Sequence, residues 1–255
     1  MAEIRCGEIT FSGIEAVIFD KDGTLADSQE FLRLLGQRRA RLLDARIPGT
    51  ADSMLLAYGL EGDRLDPNSL LAVGSRHENL IAAAGYVAET GRGWWESLQI
   101  ATEAFAEADS LLQTLGDTTP PLFPGTRELL ARLHDRGLTL GILSADTTAR
   151  VEQFVRNRDL APYIRLEMGG DRGPSKPDPS LFAVACERLG VRPEQALMVG
   201  DSPLDIQMAR DAGAAGTIGI AWNAVTAPHL ADADAKATRL DEIMLGDRDY
   251  PSANA

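Results

Sequence analysis

The run Ala16-Val17-Ile18-Phe19 has no polar break, and two acids, Asp20 and Asp22, close it. An unbroken apolar stretch of this length predicts a strand buried on both faces, as in the middle of a parallel sheet. The period then changes. Phe31, Leu32 and Leu35, and later Leu42 and Leu43, recur at helical spacing. No stretch between residues 26 and 122 alternates as a strand does. Asp66-Pro67-Asn68 and Gly91-Arg92-Gly93 read as breaks between helices. Residues 26–122 are therefore expected to form a helical insertion.

From Phe123 onward strand and helix alternate. Thr126 opens a helix with Leu129, Leu130 and Leu133 on one face, and Gly137 closes it. Leu138 to Leu143 predicts a strand, Thr148 to Asn157 a helix and Ile164 to Met168 a short strand. Pro179 suits the first turn of a helix ending near Leu189-Gly190. Ala196 to Gly200 predicts a strand, followed by a helix ending near Gly213 and a strand from Ala215 to Ile220. Beyond these, Asp232 to Ala235 reads as a loop and Arg239 to Leu245 as a short helix. Alternation of this kind predicts a parallel sheet covered on both faces. The expected fold class is α/β, a Rossmann-like parallel sheet with an inserted α-helical cap domain. The core is expected from residues 1–25 and 123–255, the insertion from 26–122.

Composition narrows the partners. The chain has 255 residues, 44% of them hydrophobic, enough for one large core or two smaller ones. Its net charge of −13 disfavours nucleic acid and anionic membrane surfaces as partners. No apolar run is long enough to span a bilayer. Residues 1–13 lack an apolar signal core, and Cys6 and Cys186 show no paired spacing. A reducing cytoplasm is the expectation. Arginines outnumber lysines 22 to 3, and the lysines are Lys21, Lys176 and Lys236. Arg38, Arg39 and Arg41 read as an exposed basic helix face. Oligomeric state is not written in these features.

The chemistry gathers where predicted strands stop. Asp20/Asp22, Ser144, Lys176 and Asp201/Asp205 each follow one. In open α/β sheets the carboxyl ends of strands line the ligand crevice. Side chains alternate along extended backbone, so Asp20 and Asp22 can lean toward one site while Lys21 points elsewhere. Gly23 permits a sharp turn. Two acids held together ask for a cation between them, here a divalent metal with a phosphate. The chain carries no P-loop, GxGxxG, GxSxG or HExxH pattern.

Asp20-x-Asp22-Gly23-Thr24, then Ser144, then Lys176-Pro177, then Gly200-Asp201-Ser202-x-x-Asp205 resembles the haloacid dehalogenase superfamily. The resemblance spans residues 16–220. The position of the insertion resembles the helical-cap subfamily, which holds phosphoglycolate phosphatase-like and β-phosphoglucomutase-like enzymes. It implies a Mg²⁺-dependent phosphatase acting on a small phosphorylated metabolite. Asp20 would attack phosphorus and form an aspartyl phosphate. Asp22 would be general acid and then base, with its backbone carbonyl on the metal. Asp201 would bind the metal directly, and Asp205 would hold a metal-bound water. Ser144 and Lys176 would hold the phosphoryl oxygens, with backbone N–H groups at Gly23, Thr24 and Ala145 completing the cradle. P-type ATPases resemble this motif but carry Thr in place of Asp22, so Asp22 implies fast breakdown of the phosphoenzyme. Lys21 stands where an apolar residue is more usual and is expected to face away from the phosphate. Two alternatives stay open: a phosphosugar mutase of the β-phosphoglucomutase type, and a non-catalytic binding module.

Overall fold

A computed structural model describes residues 2–62, 64–114, 119–171, 173–222 and 226–246. The chain divides into two compact units, Met1–Ala26 with Leu122–Ala255, and Asp27–Pro121.

The first unit begins with a hairpin, β1 (Ala2–Cys6) and β2 (Ile9–Ile14), and continues into β3 (Ala16–Phe19). The hairpin was not expected. Its signal is a period of two: Ala2, Ile4 and Cys6 are buried, while Arg5 is exposed. Gly7, with φ of +58°, supplies the turn.

The second unit runs through α1 (Gln29–Arg46), α2 (Ala51–Ala57), the short pair β4 (Leu60–Glu61) and β5 (Arg64–Leu65), α3 (Leu70–Val73), α4 (Arg76–Glu89) and α5 (Trp94–Gln113). Among the described residues its strands are β4 and β5, whose two residues each are too few for alternation to register. Ser75 and Glu78 form a reciprocal cap at the start of α4. Leu43, Met54, Tyr58, Val87 and Phe105 share one buried cluster. Arg39 corrects the expected basic face: it is 4% exposed. Its guanidinium lies 4.3 Å from the Phe105 ring centroid and 3.7 Å from Asp109. The reason is periodicity, since Arg39 falls midway between buried Leu35 and Leu43 at four-residue steps on α1. Arg41 is exposed.

The first unit then resumes. Its further elements are α6 (Thr126–Asp135), β6 (Thr139–Ser144), α7 (Thr148–Asn157), β7 (Ile164–Gly169), α8 (Pro179–Leu189), β8 (Ala196–Gly200), α9 (Pro203–Asp211), β9 (Gly216–Ile220), β10 (Ala235–Ala237) and β11 (Ile243–Leu245). Six strands form an all-parallel sheet in the order β10-β9-β8-β3-β6-β7. Val17 and Phe19 enter one core cluster with Ile142, Val155 and Leu197. Ala16 and Ile18 enter another with Leu143, Phe182 and Met198. β3 is thus packed on both faces, which is why its sequence has no polar break. The chain adds β6 and β7 on one side of β3, then returns to place β8, β9 and β10 on the other. The carboxyl end of β3 is therefore a topological switch point.

Two further expectations are corrected near the carboxyl end. Residues 239–245 do not form a helix: a 3-10 turn at Leu240–Glu242 leads into β11, which pairs with β1 at Cys6↔Ile243 and Arg5↔Met244. Tertiary pairing across most of the chain overrides local preference there. Ala235, expected in a loop, begins β10. Cys6 and Cys186 are both free and buried. Among the described residues no helix is long and apolar enough to cross a membrane.

Ile18 is fully buried at the centre of the sheet. Ile18→Ala should lower unfolding stability by about 2–5 kcal/mol, the range for deleting a large buried aliphatic side chain. Urea denaturation measures it as a lower midpoint at unchanged slope.

Candidate active site

The site begins one residue past β3. The Asp20 amide donates to the Val199 carbonyl at 2.9 Å, which carries β3–β8 pairing beyond the strand. The chain then folds back. The amides of Leu25 and Ala26 both donate to the Lys21 carbonyl, at 3.0 and 2.9 Å, and the Gly23 amide donates to the Ala26 carbonyl at 2.9 Å. The Gly23 amide, expected in a phosphate cradle, is thus engaged within the turn. Gly23 has φ of +80°, and a Cβ there would lie 1.9 Å from Asp201 Oδ2. Only glycine meets both demands.

Across the switch point, β8 ends at Gly200 and α9 starts at Pro203. Ser202 caps α9, its Oγ accepting from the Leu204 amide at 3.1 Å. Asp205 Oδ2 accepts the Ser202 amide at 3.2 Å, which turns this carboxylate back toward the strand end. A Cβ on Gly200 would lie 2.5 Å from Asp205 Cγ, so the strand must end in glycine for the carboxylate to lie against it.

Lys176 arrives from the loop between β7 and α8. Its Nζ lies 2.5 Å from Asp20 Oδ1 and 2.6 Å from Asp205 Oδ1. All three side chains are buried. The contact with Asp205 Oδ1 is an ion pair. Asp20, Asp201 and Asp205 each offer a carboxylate oxygen within 4.8 Å of the others. Thr24 is buried and its hydroxyl reaches Asp201 Oδ1 at 3.5 Å. Of the residues expected from sequence, Asp20, Thr24, Lys176, Asp201 and Asp205 thus meet directly, with Gly23 lying against Asp201.

Ser144 ends β6, the strand beside β3, and is buried. Its Oγ accepts the Asp146 amide at 3.1 Å. Ala145 follows and is half-buried. Both lie on the same edge of the sheet as Asp20. The Asp22 carboxylate stands outside the acidic trio. It is ion-paired with Lys21, at 2.6 Å from Nζ. Lys21 was expected only to face away; it is 2% exposed and also reaches Asp146 Oδ2 at 3.2 Å. Asp146, adjacent in sequence to the Ser144-Ala145 pair, was not singled out. Its only sequence signal is its place two residues past a strand end.

Burial pushes the Asp20 carboxyl up to about 7, opposed by Lys176 and reinforced by the charges of Asp205 and Asp22. Desolvation, then Asp20 and Asp205, push Asp201 well above the usual carboxylate range. Burial works against the charge on Lys176, but Asp20 and Asp205 outweigh it and hold the ammonium above its ordinary value. Three acids therefore face one cation. An all-oxygen donor set of this kind fits a hard divalent cation such as Mg²⁺, and lacks the nitrogen and sulfur that favour zinc.

A family model for haloacid dehalogenase-like hydrolases matches residues 14–213. A phosphoglycolate phosphatase from Salmonella typhi is 30% identical over 202 residues, covering 78% of this chain and 79% of that protein. A crystal structure described as a predicted phosphoglycolate phosphatase from Haemophilus somnus superposes with a TM-score of 0.67 at 21% identity, covering 88% of this chain and 94% of that one. A β-phosphoglucomutase from Clostridium difficile superposes with a TM-score of 0.63 at 19% identity, covering 88% and 90%. At these identities the two structures show likeness of fold alone.

Because Asp20 is held up near 7 in the fold, its ionisation costs stability as pH rises from the ordinary carboxylate range toward 7. A bound divalent cation removes that cost, and at low pH it must first displace protons. MgCl₂ should therefore raise the melting temperature more at about pH 8 than at about pH 5, and Asp201→Asn should abolish the difference. Equal shifts at both pH values would contradict this electrostatic account.

Proposed function

The chain belongs to the haloacid dehalogenase-like hydrolases and is a phosphatase of the phosphoglycolate phosphatase-like kind, and from that premise we propose the chemistry of its site. It hydrolyses a small phosphate monoester in two steps through Asp20. The observation that carries this reading is the Lys176 ammonium seated between Asp20 and Asp205, with Asp201 in reach.

In the first step an Asp20 oxygen attacks phosphorus and the ester oxygen departs, leaving an aspartyl phosphate. Lys176 lies close enough to Asp20 to offset the charge that gathers on the phosphoryl oxygens. Ser144 and the amide of Ala145 are the neutral donors at the same rim. Asp22 gives its proton to the departing oxygen. In the second step Asp22 takes a proton from water, which attacks phosphorus and frees Asp20. Mg²⁺, when bound, would be held by Asp20, Asp201, Asp205 and the Asp22 carbonyl and would neutralise charge between carboxylate and phosphate. Phosphoglycolate is the first substrate to test, because relatives 30% identical carry that name.

Phosphate release from a panel of metabolite esters tests the reading. Asp20→Asn should reduce turnover by roughly three orders of magnitude or more, as loss of a nucleophile does, with the fold intact by circular dichroism. Retained activity would assign the attack to another group. Isomerised sugar phosphate with little free phosphate would replace the phosphatase reading with the mutase one. Asp22→Asn should slow both steps and leave an acyl phosphate that hydroxylamine cleaves; wild-type rates would remove Asp22 from proton transfer.

A further inference from the structure

Only three lysines stand against 22 arginines in this chain, and two of the three are buried at the site. Lys176 serves Asp20. The mechanism above gives Lys21 no task. Yet its ammonium is nearly inaccessible, 2.6 Å from Asp22 Oδ2, 3.2 Å from Asp146 Oδ2 and 5.9 Å from the Phe154 ring centroid. A buried ammonium is costly unless closely paired. Here both partners are carboxylates that keep a solvent-facing side, at 18% and 19% side-chain exposure.

Asp146 is tied into its own loop: its amide donates to Ser144 Oγ at 3.1 Å, and its Oδ1 accepts the Thr147 amide at 2.8 Å. Arg150 Nε stands 3.8 Å from the same oxygen. Asp146 therefore anchors Nζ from the β6 side. Asp22 lies in the turn after β3, beside the nucleophile. The Lys21 backbone is pinned separately, its carbonyl accepting the amides of Leu25 and Ala26. The side chain can thus be changed without removing the bonds that shape the turn.

We propose that Lys21 is a positioning residue for Asp22: anchored by Asp146, its ammonium holds the Asp22 carboxylate in one orientation at the edge of the site. Asp22 takes up this position between the steps, as the carboxylate left once its proton has gone to the leaving oxygen, and leaves it to take a proton from water. Asp146 keeps the ammonium in place while Asp22 is away. A compact ammonium on a flexible stem suits this task, whereas a planar guanidinium would demand a two-toothed grip on a single carboxylate. The inference rests on the phosphatase reading and on the role given there to Asp22.

The test is a double-mutant cycle on the whole chain, using p-nitrophenyl phosphate with Mg²⁺. This leaving group needs little protonation, so the first step still proceeds in Asp22→Asn, and the residual rate of that variant is read as the slow decay of its phosphoenzyme. Lys21→Met should lower kcat by about tenfold or more, with KM within about twofold, because a misplaced catalytic group costs rate rather than binding. In the Asp22→Asn background the same change should cost less than about twofold, since a residue acting through Asp22 has nothing left to position. Lys21→Gln, one atom shorter but with a neutral N–H donor group, is read in the same way. Wild-type kcat in the Lys21 variants, a loss confined to KM, or an undiminished loss in the Asp22→Asn background would overturn the inference while leaving the phosphatase reading intact. Failure of both Lys21 variants to fold would assign the residue to stability and overturn it as well. Wild-type protein that releases no phosphate would overturn both.

Discussion

The site depends on one electrostatic imbalance. Asp20 and Asp205 are buried with a single ammonium between them, and a third carboxylate, Asp201, lies within 4.8 Å. Water cannot screen these charges as it screens surface pairs, so burial and the neighbouring charges hold the protons of Asp20 and Asp201 on. The arrangement persists because folding leaves it nowhere else to go. Asp20 follows a strand packed on both faces, Asp205 is turned back by the cap of α9, and Lys176 is delivered by the loop after β7. Each acid alone could sit in water. Together, at the switch point of the sheet, they make a place where added positive charge and a phosphate are both welcome.

Glycine enforces the closeness. A side chain at residue 23 would strike Asp201, and one at residue 200 would strike Asp205. These two positions let backbone and carboxylate share space that any larger residue would fill. The strands that end at the acids are buried and apolar, with Phe19, Ile142 and Val199 in one core cluster. They keep the ion pairs in a medium where they are strong.

Much of this was legible in the chain. An unpunctuated strand followed by two acids marked β3, and period-3.6 segments marked α6 and α7 within a residue or two. The motif residues fell at strand ends because parallel sheets place function there. What escaped was set by distant pairing. β11 is a strand because β1 lies beside it, and three residues carry too little pattern to announce that. Arg39 looked like surface because its charge outweighed its place on the buried stripe of α1. Lys21 looked idle because strand alternation turns it from Asp20. Alternation gives the direction in which a side chain leaves the backbone, and the long lysine stem then turned back to Asp22 and Asp146. Asp146 was silent for the same reason: its partner lies 125 positions away.

The central claim is that the carboxylate beside Lys176 becomes covalently phosphorylated. Rapid acid quench of the enzyme during turnover, borohydride reduction and peptide mass spectrometry test it directly, because reduction converts an aspartyl phosphate to homoserine. The account predicts homoserine at position 20 and nowhere else. Turnover with position 20 unmodified, or with the label at another residue, would contradict it.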